Sequence, residues 1–230
     1  MEANSSAAPS SEDLLEQLRT PHHNRKGQLL RDKGQKTRTS IIVEALNMLA
    51  EGPLSEVNAA NITKRLGLNP AAFYRYFADM GEVLVAAYEC VLEDAEKILP
   101  LLDGAWADGE TAQGIEFLDA FHTLWTRFAP LIRARNSLAD AGDSRFILCC
   151  RQLLEPFAEA LAKQLPPRLG AEGEASSLAV AGVLLMAMER TVTVATYNGF
   201  SPGYPWPGLR RALSECFAAV VAGRQAPIPG

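Results

Sequence analysis

The chain has few of the side chains that enzymes most often use for catalysis and metal binding. Its 230 residues include three histidines, of which His22 and His23 are neighbours near the N-terminus and His122 stands alone. The motifs G-x-S-x-G and H-E-x-x-H and the glycine-rich phosphate loop are absent. We therefore expect no catalytic site, no metal site and no cofactor.

Cysteines and long apolar runs are also scarce. The four cysteines contain no C-x-x-C pair, and we expect them to be reduced residues of the core or of a pocket: Cys90, Cys149, Cys150 and Cys216. No run approaches the roughly 18–20 consecutive apolar residues that cross a bilayer. The N-terminus lacks the apolar stretch of a secretory signal. The sequence predicts a cytoplasmic protein without a membrane partner.

One segment, residues 58–77, has the pattern of two short helices joined by a tight turn. Apolar residues at i, i+4 spacing are followed by Gly67, the residue type expected where a helix ends in a left-handed conformation. Asn69 then precedes Pro70, an order typical of a helix cap and the first helical position. This pattern predicts a helix-turn-helix, whose second helix binds in the major groove of DNA.

Over residues 41–84 the chain resembles the N-terminal domain of TetR-type transcriptional regulators. The resemblance is carried by Ile41-Ile42-Val43-Glu44-Ala45-Leu46, Ile62, Leu66-Gly67-Leu68, Phe73-Tyr74-Arg75-Tyr76-Phe77 and Leu84. It implies an all-α fold, in which a three-helix helix-turn-helix DNA-binding domain precedes a helical bundle for ligand binding and dimerisation. It also implies a homodimer that binds double-stranded operator DNA.

The resemblance, together with the distribution of charge, implies four segments. They are a flexible basic N-terminal arm (1–37), the DNA-binding domain (38–82), the ligand-binding and dimerisation domain (83–223) and a flexible tail (224–230). Between Arg19 and Arg75 the net charge is +6, whereas residues 76–230 carry −7, so the positive charge lies where phosphates would be bound. The arm either contacts DNA or is a flexible solubilising tail.

Apolar periodicity predicts helices along most of the chain. The first is expected over 39–51 and the second over 59–66. The third begins at Pro70, and the fourth, capped by Asp79, extends from Met80 to about Pro100. Later helices are expected over 111–129, 131–139, 144–165, 174–198 and 208–222. Residues 178–195 and 209–220 are apolar on more than one stripe, which suits burial against both a core and a partner subunit.

Seven residues of the helix-turn-helix are candidates for DNA binding by their register: Lys64, Arg65, Asn69, Pro70, Ala71, Tyr74 and Arg75. Lys64 and Arg65 would neutralise phosphates, and Asn69 could donate a hydrogen bond to one.

The recognition helix, which begins at Pro70, offers different chemistry along its length. Pro70 and Ala71, at its start, could contact thymine methyl groups. Tyr74 matches a tyrosine of the family and would hydrogen-bond a phosphate, while Arg75 could read guanine or contact another phosphate. Many family members have a lysine where this chain has Met80, so we expect that phosphate contact to be lost.

A ligand cavity is predicted less sharply, from large side chains on helices that would surround it: Phe121, Trp125, Phe128, Phe146, Cys150, Phe157 and Met188. Each of these residues could equally belong to a filled core. Their composition favours a small apolar or amphipathic effector. Residues 188–191 also resemble a sub-group that includes the mycobacterial ethionamide-resistance repressor, although Met188 replaces its asparagine. We interpret Glu189 and Arg190 as mainly structural.

Two functions remain open from the sequence. The favoured one is a repressor that an effector releases from a near-palindromic operator, although activation is also compatible with the pattern. The alternative is a small-molecule or protein-interaction module of the same fold without specific DNA binding.

Overall fold

Helices make up all the regular structure that can be described. The computed structural model describes residues 31–103, 112–165, 176–196 and 205–221, and within these ranges it contains no strand. The predicted all-α fold is confirmed. Most of the predicted N-terminal arm and the whole predicted tail, residues 224–230, lie outside the described residues.

Nine α-helices follow one another in these ranges. They are α1 (Asp32–Glu51), α2 (Ala59–Arg65), α3 (Pro70–Tyr76), α4 (Met80–Glu96), α5 (Ala112–Arg127), α6 (Ala129–Asp140), α7 (Ser144–Ala162), α8 (Ser177–Ala195) and α9 (Trp206–Val221). Short 3₁₀-helices cover Leu54–Glu56 and Leu99–Leu102. Apart from the start of α1, the predicted helix ends differ from these bounds by only a few residues.

The first helix begins earlier than predicted, at Asp32 instead of residue 39. Residues 32–37, which we had placed in a flexible arm, are therefore helical. The buried face of α1 explains the difference, because Arg38 lies one turn before Ile42 on that face and is only 8 % exposed.

The chain divides into two compact units. The first comprises residues up to 93 together with residues 127–150, and the second comprises residues 94–126 and 151–230. Each unit has its own set of buried apolar side chains, and each is described by itself.

In the first unit, α1 packs against α2 and α6, and α2 packs against α3. Its core includes Ile41, Ile42, Ile62 and Phe73, which have no exposed surface. These side chains recur at helical spacing in the sequence, so burying one face of each short helix is what holds α2 and α3 on α1.

The beginning of α4 is bound to the beginning of α7 within this unit. Asp79 caps α4 as predicted, since its Oδ1 accepts a hydrogen bond from the Glu82 N–H at 2.9 Å. Arg145 donates from Nη1 to both carboxylate oxygens of Asp79, at 2.8 and 2.9 Å, and from Nη2 to Asp143 at 2.8 Å. A Cβ at Gly81 would overlap the guanidinium of Arg145, so a larger residue there would displace this arginine side chain.

The second unit contains a cluster of aromatic rings. Phe117, Phe121 and Trp125 follow one another at i, i+4 spacing on α5, and Phe157 comes from α7. The rings of Phe121 and Trp125 are stacked with centroids 4.0 Å apart, and Phe157 meets Phe121 edge-on at 5.7 Å. Nε1 of Trp125 donates to Oγ1 of Thr193 on α8 at 3.1 Å, so the indole N–H is satisfied inside the core.

Helix α8 is apolar on both sides. Its 19 residues have a mean hydropathy of 1.6, so length and composition alone would allow it to cross a membrane, a test that core helices of soluble proteins also pass. Leu185 and Met188 are buried, whereas Val183 and Met186 are 67 and 65 % exposed. α8 packs against α9. One face of α8 is thus left uncovered by the part of the chain that the structure describes.

The four cysteines are free thiols in different surroundings. Cys90 and Cys149 are buried and Cys150 is half-buried. Cys216 is exposed on α9, so the prediction that every cysteine lies in the core or in a pocket is wrong for this residue.

Candidate nucleic-acid interface

Asparagine caps begin both helices of the predicted helix-turn-helix. Oδ1 of Asn58 accepts from the Asn61 N–H at 3.0 Å, and Oδ1 of Asn69 accepts from the Ala71 N–H at 2.8 Å. Pro70 occupies the first position of α3. The predicted cap at Asn69 is confirmed, and Asn58 caps α2 in the same way. Both caps satisfy N–H groups that would otherwise lack partners, so local sequence specifies where each helix starts.

The turn between the helices depends on Gly67, which has φ of 64°. The Leu68 N–H bonds back to the carbonyl of Thr63 at 2.8 Å, the arrangement that closes a helix through a left-handed residue. No atom lies within 4 Å of the place where a Cβ at Gly67 would be. Glycine is therefore needed here for its backbone conformation rather than for space.

Helix α3 separates its aromatic side chains between two faces. Phe73 and Phe77 are 0 and 2 % exposed, as predicted for core residues. Tyr76 is half-buried beside them, while Tyr74 is 54 % exposed and Arg75 is exposed. The inward phenylalanines hold the helix in place and leave the intervening side chains facing solvent.

All the residues predicted to bind DNA are exposed. They lie on the last turn of α2, in the turn and on α3: Lys64, Arg65, Asn69, Pro70, Ala71, Tyr74 and Arg75. The seven side chains are thus exposed together along one short, continuous segment. Their individual contacts with DNA remain predictions.

Arg65 differs from the two other cations of this segment. Its Nη1 lies 2.7 Å from Oε2 of Glu51 and 3.2 Å from Oε1 of Glu44, both on α1. Hydrogen bonds to Glu51 and Glu44 raise the pKa of Arg65. Lys64 and Arg75 have no ion-pair partner among the described residues. These two side chains can therefore bind an anion without first breaking an ion pair.

Arg38 has a structural role that the sequence reading missed. Its guanidinium lies 5.2 Å from the centroid of the Phe77 ring and is buried. Burial lowers the pKa of Arg38, and the charge of Glu89 partly opposes this shift. The signal was present in the sequence, because Arg38 precedes Ile42 and Ala45 at i, i+4 and i, i+7.

The residues predicted to line the ligand cavity are divided between the two units. Phe128, Phe146 and Cys150 belong to the first unit, and Phe121, Trp125, Phe157 and Met188 belong to the second. All are buried except Cys150, which is half-buried. Within the second unit, three of them are in direct ring contact, which is the arrangement of a filled core. Their role in ligand binding remains a prediction.

Glu189, which we interpreted as structural, is half-buried on α8. It accepts a hydrogen bond from Oγ1 of Thr193 at 3.3 Å. Its neighbour Arg190 is exposed, so that side chain is not the buried charge that the sequence suggested.

Comparison with known families identifies the helix-turn-helix. The family model for bacterial regulatory proteins of the tetR family matches residues 41–87. These residues include most of α1, all of α2 and α3 and the first part of α4, so the match covers the helix-turn-helix. The chain therefore contains a TetR-type DNA-binding domain over these residues.

A solved structure has a fold similar to that of this chain. It is the crystal structure of a transcriptional regulator of the TetR/AcrR family from Thermobifida fusca, with a TM-score of 0.51 and 17 % sequence identity. The match covers 83 % of this chain and 100 % of that chain, so the likeness of fold extends well beyond the DNA-binding domain. No curated protein matches the sequence. TetR-type regulators bind DNA as dimers and are generally not enzymes.

Proposed function

We propose that this regulator is a homodimeric repressor that leaves a near-palindromic operator when a small apolar or amphipathic effector binds. The observation that carries the proposal is the exposed helix-turn-helix, in which Lys64 and Arg75 are unpaired among the described residues while Phe73 and Phe77 anchor α3. In this proposal the protein is cytoplasmic, has no membrane partner and has no enzymatic activity.

The DNA contacts follow from the chemistry of the exposed side chains. Lys64 would bind a phosphate. Asn69 uses its Oδ1 for the cap, which leaves its amide N–H groups to donate to another phosphate. Arg65 would have to exchange its bonds with Glu44 and Glu51 for a phosphate, so we expect the weakest contribution from it.

On α3, we assign recognition of the DNA bases to the exposed first residues and to Arg75. Pro70 and Ala71 would contact thymine methyl groups, and Arg75 would pair with the two acceptors of a guanine. The hydroxyl of Tyr74 would bind a phosphate at the edge of the groove. Met80 can form no charged contact at the start of α4, so we expect the recognition helix to carry most of the specificity.

A dimer would cover the exposed apolar side of α8. Leu178, Val183 and Met186 are 52, 67 and 65 % exposed, an unusual amount of apolar surface for one helix of a soluble protein. A cleft of about 490 Å³ lies between this side of α8 and α7. A two-fold dimer would present two α3 helices to half-sites about 34–36 Å apart, one turn of DNA.

The proposed effector is apolar because the side chains assigned to it are aromatic or sulfur-containing. Since Phe121, Trp125 and Phe157 contact one another, an effector would enter only after these rings separate. A ligand that binds the separated arrangement would shift the population of conformations and thereby weaken DNA binding by linkage.

The experiment is DNase footprinting and gel shift on the DNA upstream of the protein's own gene and its neighbours. We expect a protected near-palindrome that survives competitor DNA. Arg75→Ala should weaken operator binding by about 1–3 kcal/mol and relax the preference at one base pair in each half-site. The matched control is Arg151→Ala, which removes an exposed arginine from α7.

Binding that is weak and indifferent to sequence, in both wild type and Arg75→Ala, would contradict the repressor and favour the alternative module. The effector is tested on the same complex with a panel of apolar and amphipathic compounds. Release of the DNA by a compound that also raises the thermal midpoint of the free protein would support the proposed linkage.

A further inference from the structure

The first turns of α1 and the turn of the helix-turn-helix form a cleft of about 480 Å³. From α1 the cleft is lined by Asp32, Lys33, Lys36, Thr37 and Ser40, and from either side of Gly67 by Leu66 and Leu68. We infer that Lys33 and Lys36 bind phosphates of the duplex next to those bound by the helix-turn-helix. This inference rests on the DNA binding proposed above and adds a contact surface to it.

The position of the cleft favours DNA backbone as its ligand. In a helix-turn-helix, the first residues of the recognition helix enter the major groove, so the turn before that helix lies close to the sugar-phosphate backbone. Leu66 and Leu68 flank this turn. A lysine that shares a cleft with them is therefore placed beside the strand that α3 approaches.

The positive charge of the cleft comes from side chains that are free to bind and exceeds the single negative charge of Asp32. Lys33 and Lys36 are exposed, lie on one helical face at i, i+3 spacing, and have no ion-pair partner among the described residues. The hydroxyls of Thr37 and Ser40 donate to the carbonyls of Lys33 and Lys36, at 3.0 and 2.8 Å. The two ammonium groups are thus the cations that the cleft offers to a phosphate.

These lysines contribute nothing evident to the stability of the helix. Positive side chains near a helix N-terminus are disfavoured by the helix dipole. They also lie before residue 41, where the match to the family model begins. A pair of unpaired cations in this place is better explained by a binding role than by folding.

The test compares the salt dependence of duplex binding by the full chain and by Lys33→Gln/Lys36→Gln. Fluorescence anisotropy is measured with two labelled DNAs over a series of salt concentrations. One is a duplex of random sequence of about 30 bp, which is ample for one site, and the other is the operator-region fragment. Each lost phosphate contact should reduce the slope of log K against log salt by about 0.9, so the double variant should lose about 1.8 for each bound protomer. The loss should be equal on both duplexes, because phosphate contacts carry no sequence information.

The matched control is Lys163→Gln/Arg211→Gln, which removes the same charge from two exposed side chains of the second unit that have no ion-pair partner among the described residues. An unchanged slope in the α1 variant, or an equal change in the control, would overturn the inference while the proposed function stands. No binding of either duplex by the wild-type protein would overturn both. The thermal midpoint of the α1 variant should equal or exceed that of the wild type, which separates a lost contact from lost folding.

Discussion

The helix-turn-helix and the aromatic cluster of the second unit are built by different means. In α2 and α3, each of only seven residues, the decisive bonds join neighbours: Asn58 to Asn61, Asn69 to Ala71, and Leu68 to Thr63. In the aromatic cluster, rings of α5 also contact each other locally, but the contacts that join its helices connect residues far apart in the chain, such as Trp125 and Thr193, which are 68 positions apart.

The difference shows why one region was predictable in detail and the other was not. A cap or a left-handed glycine acts within five residues, so its sequence pattern carries the geometry with it. A ring on an amphipathic helix shows only that one face is buried. The partner that covers the face is decided by the packing of other helices.

The sharpest way to test the comparison is to remove a ring from the cluster. Phe121 is fully buried against Phe117, Trp125 and Phe157, so Phe121→Ala should lower the free energy of unfolding by about 3–5 kcal/mol, measured by urea denaturation. Phe121→Leu keeps most of the apolar volume and should lose distinctly less. A loss below about 1 kcal/mol for Ala would show that the cluster is loosely packed and favour a pocket in its place.

A smaller effect is expected from the local geometry of the turn. Gly67→Ala should cost about 1–2 kcal/mol of unfolding free energy, because an L-residue is strained at φ of 64° and nothing else changes around the site. Gly67→Asn should cost less, since asparagine tolerates this conformation. Equal stability of Ala and Gly at this position would mean that the turn is held by packing, as the cluster is.

The Arg145 ion pairs combine the two cases. Asp79 is a local helix cap, and Arg145, which binds it, lies 66 positions away in the chain. Hydrogen bonds from Arg145 lower the pKa of Asp143. Burial works against a low pKa for Asp79, but hydrogen bonds from the Glu82 backbone and from Arg145 outweigh it and lower that pKa too. Both carboxylates therefore stabilise the fold above the unfolded-state pKa, about 3.9, and this contribution is lost as the pH falls through the lower folded-state values.

Arg145→Gln should reduce this acid-dependent contribution without abolishing it, because the hydrogen bond from the Glu82 backbone to Asp79 remains. It should cost roughly 0.2–1 kcal/mol at neutral pH, since the pair with Asp79 is largely exposed. Unfolding free energies measured from pH 7 to pH 3 test this. Asp79→Asn is the control, because asparagine keeps the cap while losing the charge. An acid dependence as steep in Arg145→Gln as in the wild type would contradict the assignment.

The smallest expected effect is a change of stability with pH near neutrality. Burial lowers the pKa of His122, against the charge of Asp119, and the imidazole stacks on Trp206 with centroids 3.9 Å apart. Since the unfolded state binds the proton more readily, stability should fall as the pH drops below about 6.5. His122→Gln should remove this slope between pH 7 and pH 5, while His22 and His23 remain in both proteins. An identical slope in the variant would show that another group titrates.

For the candidate DNA-binding residues, the sequence predicted exposure but not the ion pairs between helices. Register placed Lys64, Arg65 and Arg75 together as exposed cations, and their exposure agrees. Register could not show that Glu44 and Glu51 of α1 bind Arg65, because those partners lie on a different helix. Helical register also assigned no structural role to Arg38, although the residue is buried against Phe77.

By itself the sequence determined the all-α fold, the limits of most helices, the helix-turn-helix with its caps and glycine, and the family to which that motif belongs. These features depend on interactions that span one or two helical turns, and so they are written in short stretches of residues. Only the tertiary structure decided the early start of α1, the partners of Arg65 and Arg145, the ring contacts of Phe121 and the exposed face of α8. Each of these depends on which helices meet, and that choice is made by packing over the whole chain rather than by any local pattern.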